Sequence, residues 1–396
     1  MNKINILGVN ITKESKEAIL NKIHSFLISK NFHYIVTPNP EIILKTLKDE
    51  ELFYILNKAD ISLADGVGLK LSAFFLGKKL KRFTGSDLTN HLLAYAQKRQ
   101  YKIAILNWRG GFSKKSDIEK SLKYKYPNLD FYIQDIDRKG STINYKKINN
   151  YSPDILFSSL GSPWQEKNIY HSSKKISSLK LGLGIGGSFD FITGKKNRAP
   201  KIFRAIGLEW FWRLILQPNR IARIYNALFV FMWKFLIWRF VLPLFYRSNV
   251  ACLLFKKENN NMKILFVKRN EKDEHWQLPQ GGTEGESLSV AGTRELREEL
   301  GTDKFKKIKT YKNLYKYKFP KESGSKFNAP AKLISGYRGQ KQGLFIAEFF
   351  GDDSDLKINF WEHLDWKWVK IEDALETIHP LRKDSLKIFI KKLKNI

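Results

Sequence analysis

Three carboxylates, Glu295, Glu298 and Glu299, stand at i, i+3 and i+4 of the run AGTRELREELG, so a helix there carries them on one face. Like charges so close repel, and the set persists most naturally around a divalent cation; hard oxygen ligands select Mg2+ or Mn2+. On its own such a run reads as a solvated acidic helix face. The glycine pair Gly281–Gly282 and the preceding Trp276-Gln277-Leu278-Pro279 argue against that here. Leu296 and Leu300 point elsewhere and can bury the helix. A second group of capable residues closes apolar, strand-like runs in the first half: Thr37-Pro38-Asn39-Pro40-Glu41 after HYIV, Asp65-Gly66 after ISLA, and Gly161-Ser162-Pro163-Trp164-Gln165-Glu166 after DILFSSL. Taken singly, each reads as a cap or a turn, with Asn39 able to cap the next helix.

The elements that must position these residues follow from the pattern. NILGVNI, HYIVT, ISLADG, YKIAIL, LDFYIQD, DILFSSL and KLGLGIGG read as strands, and segments starting near Lys13, Asn39, Gly68, Ser86, Ser113, Tyr145 and Trp164 as helices. That alternation predicts a doubly wound, Rossmann-like α/β sheet with its ligands at the carboxyl ends of the strands. After Arg247 the pattern changes to the short strands NVACLLFKK and KILFVKR across the turn ENNNM.

In order along the chain, T-x-N-x-E, ADG, RFTGSD, GSPWQE, GIGGSFDFITGKKNRAP and LEWFWRLILQPNRIAR resemble the WecG/TagA/CpsF glycosyltransferases over about residues 1–245. The resemblance implies transfer, with inversion and without an obligatory metal, of an N-acetylmannosamine-type sugar. The donor would be a UDP-sugar and the acceptor a polyprenyl-diphosphate-linked lipid on the cytoplasmic membrane face, for cell-surface polysaccharide synthesis. Inverting transfer needs a carboxylate to accept the acceptor hydroxyl proton. Asp65, at a strand end, matches the family's proposed base. Thr37 and Asn39 match the polar lining of the same pocket, and Gln165 a pocket amide. Arg213, Arg220 and Arg223 match the arginines proposed to hold the leaving diphosphate, a task suited to their forked donors. One departure stands out: after YKIAIL the chain has Asn107-Trp108-Arg109-Gly110-Gly111 where an earlier glycine turn is expected, which leaves the donor's identity open.

From Glu286 to Gly301 the second half is similar to the Nudix box of pyrophosphohydrolases, with Arg294-Glu295 and Glu298-Glu299 in register. The loop before it is one residue short. WQLPQGG, Gly339-Gln340-Lys341-Gln342 and FWEHLDWKWV resemble the RNA pyrophosphohydrolase (RppH) and diadenosine polyphosphate hydrolase branch, over about residues 248–396. This implies an α+β Nudix fold, an α/β/α sandwich, that hydrolyses a nucleoside polyphosphate, a dinucleoside polyphosphate or an RNA 5′ end. Glu295, Glu298 and Glu299 would ligate the metal, Arg294 would orient them, and Glu362 aligns with a downstream glutamate of metal or base function, with Glu348 and Asp365 as nearby competitors. A non-catalytic, nucleotide-sensing Nudix domain is the alternative, and phosphate release from a nucleotide panel separates the two.

Composition sets the frame. The 396 residues are 43% hydrophobic and 14% aromatic, enough for two cores and too apolar for a disordered chain. A net charge of +31 predicts anionic partners: acidic lipid, phosphorylated substrates or nucleic acid. No zinc spacing, RRM-type or helix-turn-helix signal accompanies it. The one cysteine, Cys252, suits a reducing cytoplasm. Between Arg198 and Arg247, tryptophan, phenylalanine and arginine are at their densest. The expected domains are 1–223 for the transferase, 224–247 for a basic aromatic helical appendage and 248–396 for the Nudix half. Lys234 and Arg239 interrupt Tyr225–Phe245, which favours a helix lying on the inner membrane face over one that spans it. The same pattern also fits a helix buried against the Nudix domain or against a second copy in a homo-oligomer.

Overall fold

The computed structural model describes residues 2–81, 83–139, 142–200, 203, 209–216, 218–258, 261–270, 274–319 and 336–396, without the side chains of residues 209, 213, 216 and 220. The chain divides into two compact units, Met1–Leu236 and Ile237–Ile396.

The first unit is built on a six-stranded, wholly parallel sheet. Its strands are β3 (His33–Val36), β4 (Ile61–Ser62), β5 (Ile103–Trp108), β6 (Phe131–Ile136), β7 (Ile155–Ser158) and β8 (Leu181–Gly184), in the order β4-β3-β8-β7-β5-β6. Helices cover both faces, so strands such as β7 and β8 are buried at every position and read as unbroken apolar runs. Ile35, Ile103, Ile105, Phe157 and Leu183 form one core with Ile23 and Leu27 of helix Lys16–Ile28 and Leu88 and Leu92 of helix Gly85–Arg99.

NILGVNI is not the first strand of this sheet. It folds into a separate antiparallel pair, β1 (Lys3–Ile6) and β2 (Val9–Thr12), across a turn in which Leu7 and Gly8 take φ of 51° and 85°. The Asn5 side-chain oxygen accepts the Gly8 N–H and closes the turn. Apolar residues flank Gly8 on both sides, so periodicity alone does not separate one strand from two. A helix at Glu50–Lys58, capped by Asp49, also lies beyond the elements read from the pattern.

In the second unit β9 (Tyr246–Glu258) is central, with β10 (Asn261–Arg269) antiparallel on one side and β14 (Gly339–Phe349) parallel on the other. β11 (Trp276–Gln277) and β15 (His363–Lys370) pair with β10, β12 (Gln280–Gly282) with β9, and β13 (Phe305–Lys318) with β14. Alternation along β9 decides the layering. Val250, Cys252 and Leu254 pack with Ala291, Leu296 and Leu300 of helix Leu288–Leu300. Ala251, Leu253 and Phe255 pack with Leu386, Phe389 and Leu393 of helix Lys383–Lys394. The result is an α/β/α sandwich.

Ile221–Leu244 forms one helical run, long and apolar enough to cross a membrane by length and composition, with 17% of its most apolar window buried. Two single π-helical turns, Asn226–Val230 and Ile237–Val241, interrupt it. Within the first unit its inner side is docked. Phe231 and Phe235 are fully buried, and Phe231 lies against Gly68 of helix Val67–Phe75. Phe229, by contrast, is 65% exposed. Phe231→Ala is therefore expected to destabilise the first unit by about 3–5 kcal/mol and Phe229→Ala by about 0.5 kcal/mol or less. Urea denaturation of the full chain reads both, and equal effects would mean that the helix is not docked through Phe231.

Candidate functional site

The carboxyl ends of the parallel strands meet at a cleft of about 730 Å3 in the first unit. Thr37 and Asn39 follow β3, Asp65 follows β4, Asn107 and Trp108 close β5, and Ser159–Ser162 and Ile185–Ser188 follow β7 and β8. Thr37, Asn39, Asp65, Gln165 and Arg223, far apart in the chain, all line it. The side chains of Arg213 and Arg220 lie outside the described residues.

Each side chain has a local reason to be where it is. Asn39 caps helix Pro40–Thr46, its Oδ1 accepting the Ile42 N–H at 2.9 Å, so the capping role and the place in the cleft coincide. Asp65 is followed by Gly66 at φ 103°, a conformation that L side chains rarely adopt, and a Cβ there would crowd Pro40. The Asp65 N–H donates to the Pro38 carbonyl at 2.9 Å and ties the β3 and β4 ends together. Gln165 is 3% exposed and held at both ends of its amide: Oε1 accepts the Gly186 N–H at 3.0 Å and Nε2 donates to Glu166 at 2.8 Å. Burial pushes the Glu166 carboxyl above its ordinary value, against the hydrogen bond from Gln165. Arg223 sits at the rim, its guanidinium donating from Nη2 at 2.7 Å and Nε at 3.2 Å to one oxygen of Glu41.

Sequence reasoning missed further residues that line the cleft, among them Phe112, Ser113, Asp190 and Lys196. Asp190 accepts from Ser113 at 2.9 Å and from Lys196 at 2.5 Å, and the Lys196 ammonium lies 3.8 Å from the centre of the Phe112 ring. The sequence signal for Asp190 and Lys196 is their position inside the long GIGGSFDFITGKKNRAP motif; Phe112 and Ser113 lie outside it. Arg198 bridges Thr84 and Asp87, joining that motif to TGSD. At the departure after β5, Asn107 turns inward, donating to Asp135 at 2.8 Å and accepting from Ser159 at 2.9 Å. Trp108 takes the Arg138 guanidinium 3.7 Å above its ring.

In the second unit one arginine organises the acidic residues. Arg294 donates to Glu286 at 3.0 Å, Glu295 at 2.7 Å, Glu298 at 3.0 Å and the Gly282 carbonyl at 2.7 Å. A Cβ on Gly281 would overlap the Glu295 carboxylate, so glycine lets that side chain lie against the loop. The three helix carboxylates do not share one environment: Glu298 is half exposed, Glu295 is 7% exposed and Glu299 1%. The helix turn that aligns them also sends Glu299 inward, where it accepts the Gln280 N–H at 3.2 Å. Burial pushes Glu299 well up, and the charges of Glu362 and Glu295 push it further, with Arg269 opposing. Glu362 is thus a downstream acid whose charge reaches Glu299.

Among the described residues no three His, Cys, Asp or Glu side chains are gathered within ligating reach of one ion. The donor set nonetheless fits a hard divalent cation: Glu299 Oε1 is buried without a hydrogen-bond partner, and two further carboxylates are close enough to raise its proton affinity.

Residues 4–243 match the family model described as the glycosyl transferase WecG/TagA/CpsF family, and residues 245–390 match that of the NUDIX domain. The N-acetylglucosaminyldiphosphoundecaprenol N-acetyl-beta-D-mannosaminyltransferase of Bacillus subtilis is 31% identical over 255 residues, covering 62% of this chain and 86% of that protein. The Staphylococcus aureus enzyme of the same name is 30% identical, covering 59% and 91%. Among solved structures, an Ap4A hydrolase of C. elegans covers 38% of this chain and 99% of its own at 20% identity, with a TM-score of 0.29. The chain belongs to the WecG/TagA/CpsF glycosyltransferase family, with a Nudix domain fused C-terminal to the transferase domain.

Proposed function

We propose that the protein is a bifunctional enzyme. Its first unit transfers an N-acetylmannosamine-type sugar from a UDP-sugar, with inversion, to a polyprenyl-diphosphate-linked acceptor at the inner face of the cell membrane. The reading is carried by one observation: Thr37, Asn39, Asp65, Gln165 and Arg223, from separate parts of the chain, line a single cleft. The names of the Bacillus and Staphylococcus relatives support the same donor sugar and acceptor class.

In this reading the Asp65 carboxylate takes the proton of the acceptor hydroxyl as its oxygen attacks the anomeric carbon. The bond from that carbon to the UDP oxygen breaks, and UDP leaves with the electron pair. Thr37 and Asn39 hold the sugar beside Asp65. Gln165, fixed by Gly186 and Glu166, presents a rigid amide without reorganisation during the reaction. Arg223, with Arg213 and Arg220, meets the negative charge that grows on the departing diphosphate. No metal is required for these roles.

The Nudix unit, in the same reading, hydrolyses a diphosphate bond of a nucleoside polyphosphate, a dinucleoside polyphosphate or an RNA 5′ end. Glu295, Glu298 and Glu299 would hold Mg2+ or Mn2+, with Glu362 beside them. When bound, the cation neutralises phosphate oxygens and makes a water acidic enough to attack phosphorus. Arg294 keeps Glu295 and Glu298 oriented from the loop side, and Glu299 would bind a cation as its carboxylate.

Two outcomes follow. Asp65→Asn lowers the rate of UDP-sugar-dependent transfer by about 10²–10⁴-fold, measured with a lipid-diphosphate acceptor; full transfer would remove Asp65 as the base. Glu298→Gln abolishes Mg2+-dependent phosphate release from a panel of capped and polyphosphorylated nucleotides, and Arg294→Lys lowers it about 10–100-fold. Unchanged release by Glu298→Gln rules out its ligand role, and no release by the wild-type chain from any nucleotide leaves the sensor reading.

A further inference from the structure

Helix Val67–Phe75 has two unlike faces. Gly68, Leu69, Ser72 and Ala73 are buried, whereas Leu71 is 43%, Phe74 73% and Phe75 45% exposed. The inner face is where the last helix of the unit docks: Phe231 lies on Gly68, the Met232 sulfur is 3.8 Å from Ser72 Oγ, and the Phe235 and Phe75 rings are 6.5 Å apart. The last helix in turn exposes Ile221, Tyr225, Phe229 and Trp233 at successive i+4 positions. Two packed helices thus leave large apolar side chains in water on both.

Charge indicates what covers them. No Asp or Glu occurs between Asp65 and Asp87, or between Glu209 and Glu258. Exposed Lys70, Lys78, Lys79 and Lys81 belong to the first of these acid-free stretches, Arg223 and Lys234 to the second. A second copy would bring the same cations to the same face, because a two-fold interface pairs a surface with itself. Anionic lipid headgroups are complementary to it, and the aromatic side chains suit the interfacial layer.

We propose that helix Val67–Phe75 and the outer face of the helix after Arg223 form one bilayer-contacting surface whose occupant is an anionic membrane. This rests on the reading that the acceptor is a membrane lipid. Asp65 and Gly66 lead directly into the first of these helices, and Arg223 stands in the opening turn of the second. The proton acceptor and one diphosphate ligand are thereby tied to elements seated at headgroup depth, where the acceptor's own diphosphate lies.

The test uses the full chain and vesicles of phosphatidylcholine and phosphatidylglycerol in equal parts. Leu71→Ser with Phe74→Ser, both exposed positions, is expected to lower vesicle partitioning about tenfold. Lys78→Glu with Lys79→Glu, at two exposed positions, is expected to do the same with anionic vesicles and to have little effect with phosphatidylcholine alone. Transfer from UDP-N-acetylmannosamine to a vesicle-embedded acceptor falls in parallel, while transfer to a short-chain, water-soluble diphosphate acceptor is unchanged. Unaltered partitioning of both double variants overturns the proposal. So does a wild-type dimer that the serine variant turns into a monomer, by light scattering, without loss of vesicle binding. Lowered partitioning with no sugar transfer to either acceptor by the wild type would sink the acceptor reading and leave the surface standing.

Discussion

Phe231 is seated on the small-residue face of helix Val67–Phe75. Gly68 and Ser72 are one helical turn apart there: the ring lies at van der Waals distance from Gly68, where a Cβ would run into Pro40, and Met232 lies on Ser72. Burying a phenylalanine in this way stabilises the docked helix by about 1.5–3 kcal/mol, more than its surface ion pairs supply. The rim of the cleft depends on that seat. It fixes the course of the helix that begins at Ile221, and so brings Arg223 over the cleft to Glu41. Without it the rim would lose its arginine while the parallel sheet remained intact.

The polar residues at strand ends were legible because a parallel sheet gives each strand end the same destination. Thr37, Asn39, Asp65 and Gln165 needed no knowledge of strand order to be grouped, since every β3-to-β8 strand delivers its carboxyl end to one edge. What periodicity does not carry is a contact between distant loops. Ser113 meets Asp190, and Arg138 stacks on Trp108, only after β5, β6 and β8 have been laid side by side. The first two strands were misread for a related reason. A turn at Leu7–Gly8 changes the chain direction without changing the apolar pattern. In the Nudix unit, helical spacing correctly put three carboxylates on one face. It could not say that the same face straddles the boundary between core and solvent, which separates Glu299 from Glu298.

In a chain of net charge +31 the two candidate sites arrange their charges in opposite ways. The transferase cleft carries cations at its rim, and its acids are few and individually held. Glu41 is bonded to Arg223, and Asp190 to Lys196 and Ser113. The Nudix unit concentrates acids instead, and uses a single guanidinium to keep three of them from repelling one another. Because Arg294 also holds the Gly282 carbonyl, the loop and the helix are fixed by the same group.

Glu299 and His363 carry this argument into the core. The two lie 3.7 Å apart and are almost completely buried, which on distance alone would be an ion pair. Burial, however, drives them in opposite senses: it lowers the His363 imidazole to about 3, with Arg269 adding to the effect, and it raises the Glu299 carboxyl. Burial thus disfavours the charged form of both groups, so the contact is not held by two desolvated charges. The signs of their linkage to stability differ. His363 binds its proton less tightly folded than unfolded, so its contribution is present above about pH 6.5 and is lost as pH falls toward 3. Glu299 binds its proton more tightly folded, so its contribution is present at low pH and is lost as pH rises through its elevated folded value. A cation that displaced the Glu299 proton would reverse the second of these and leave the first. Burial and the neighbouring carboxylates thus both favour an uncharged Glu299, and its Oε1 is buried without a hydrogen-bond partner.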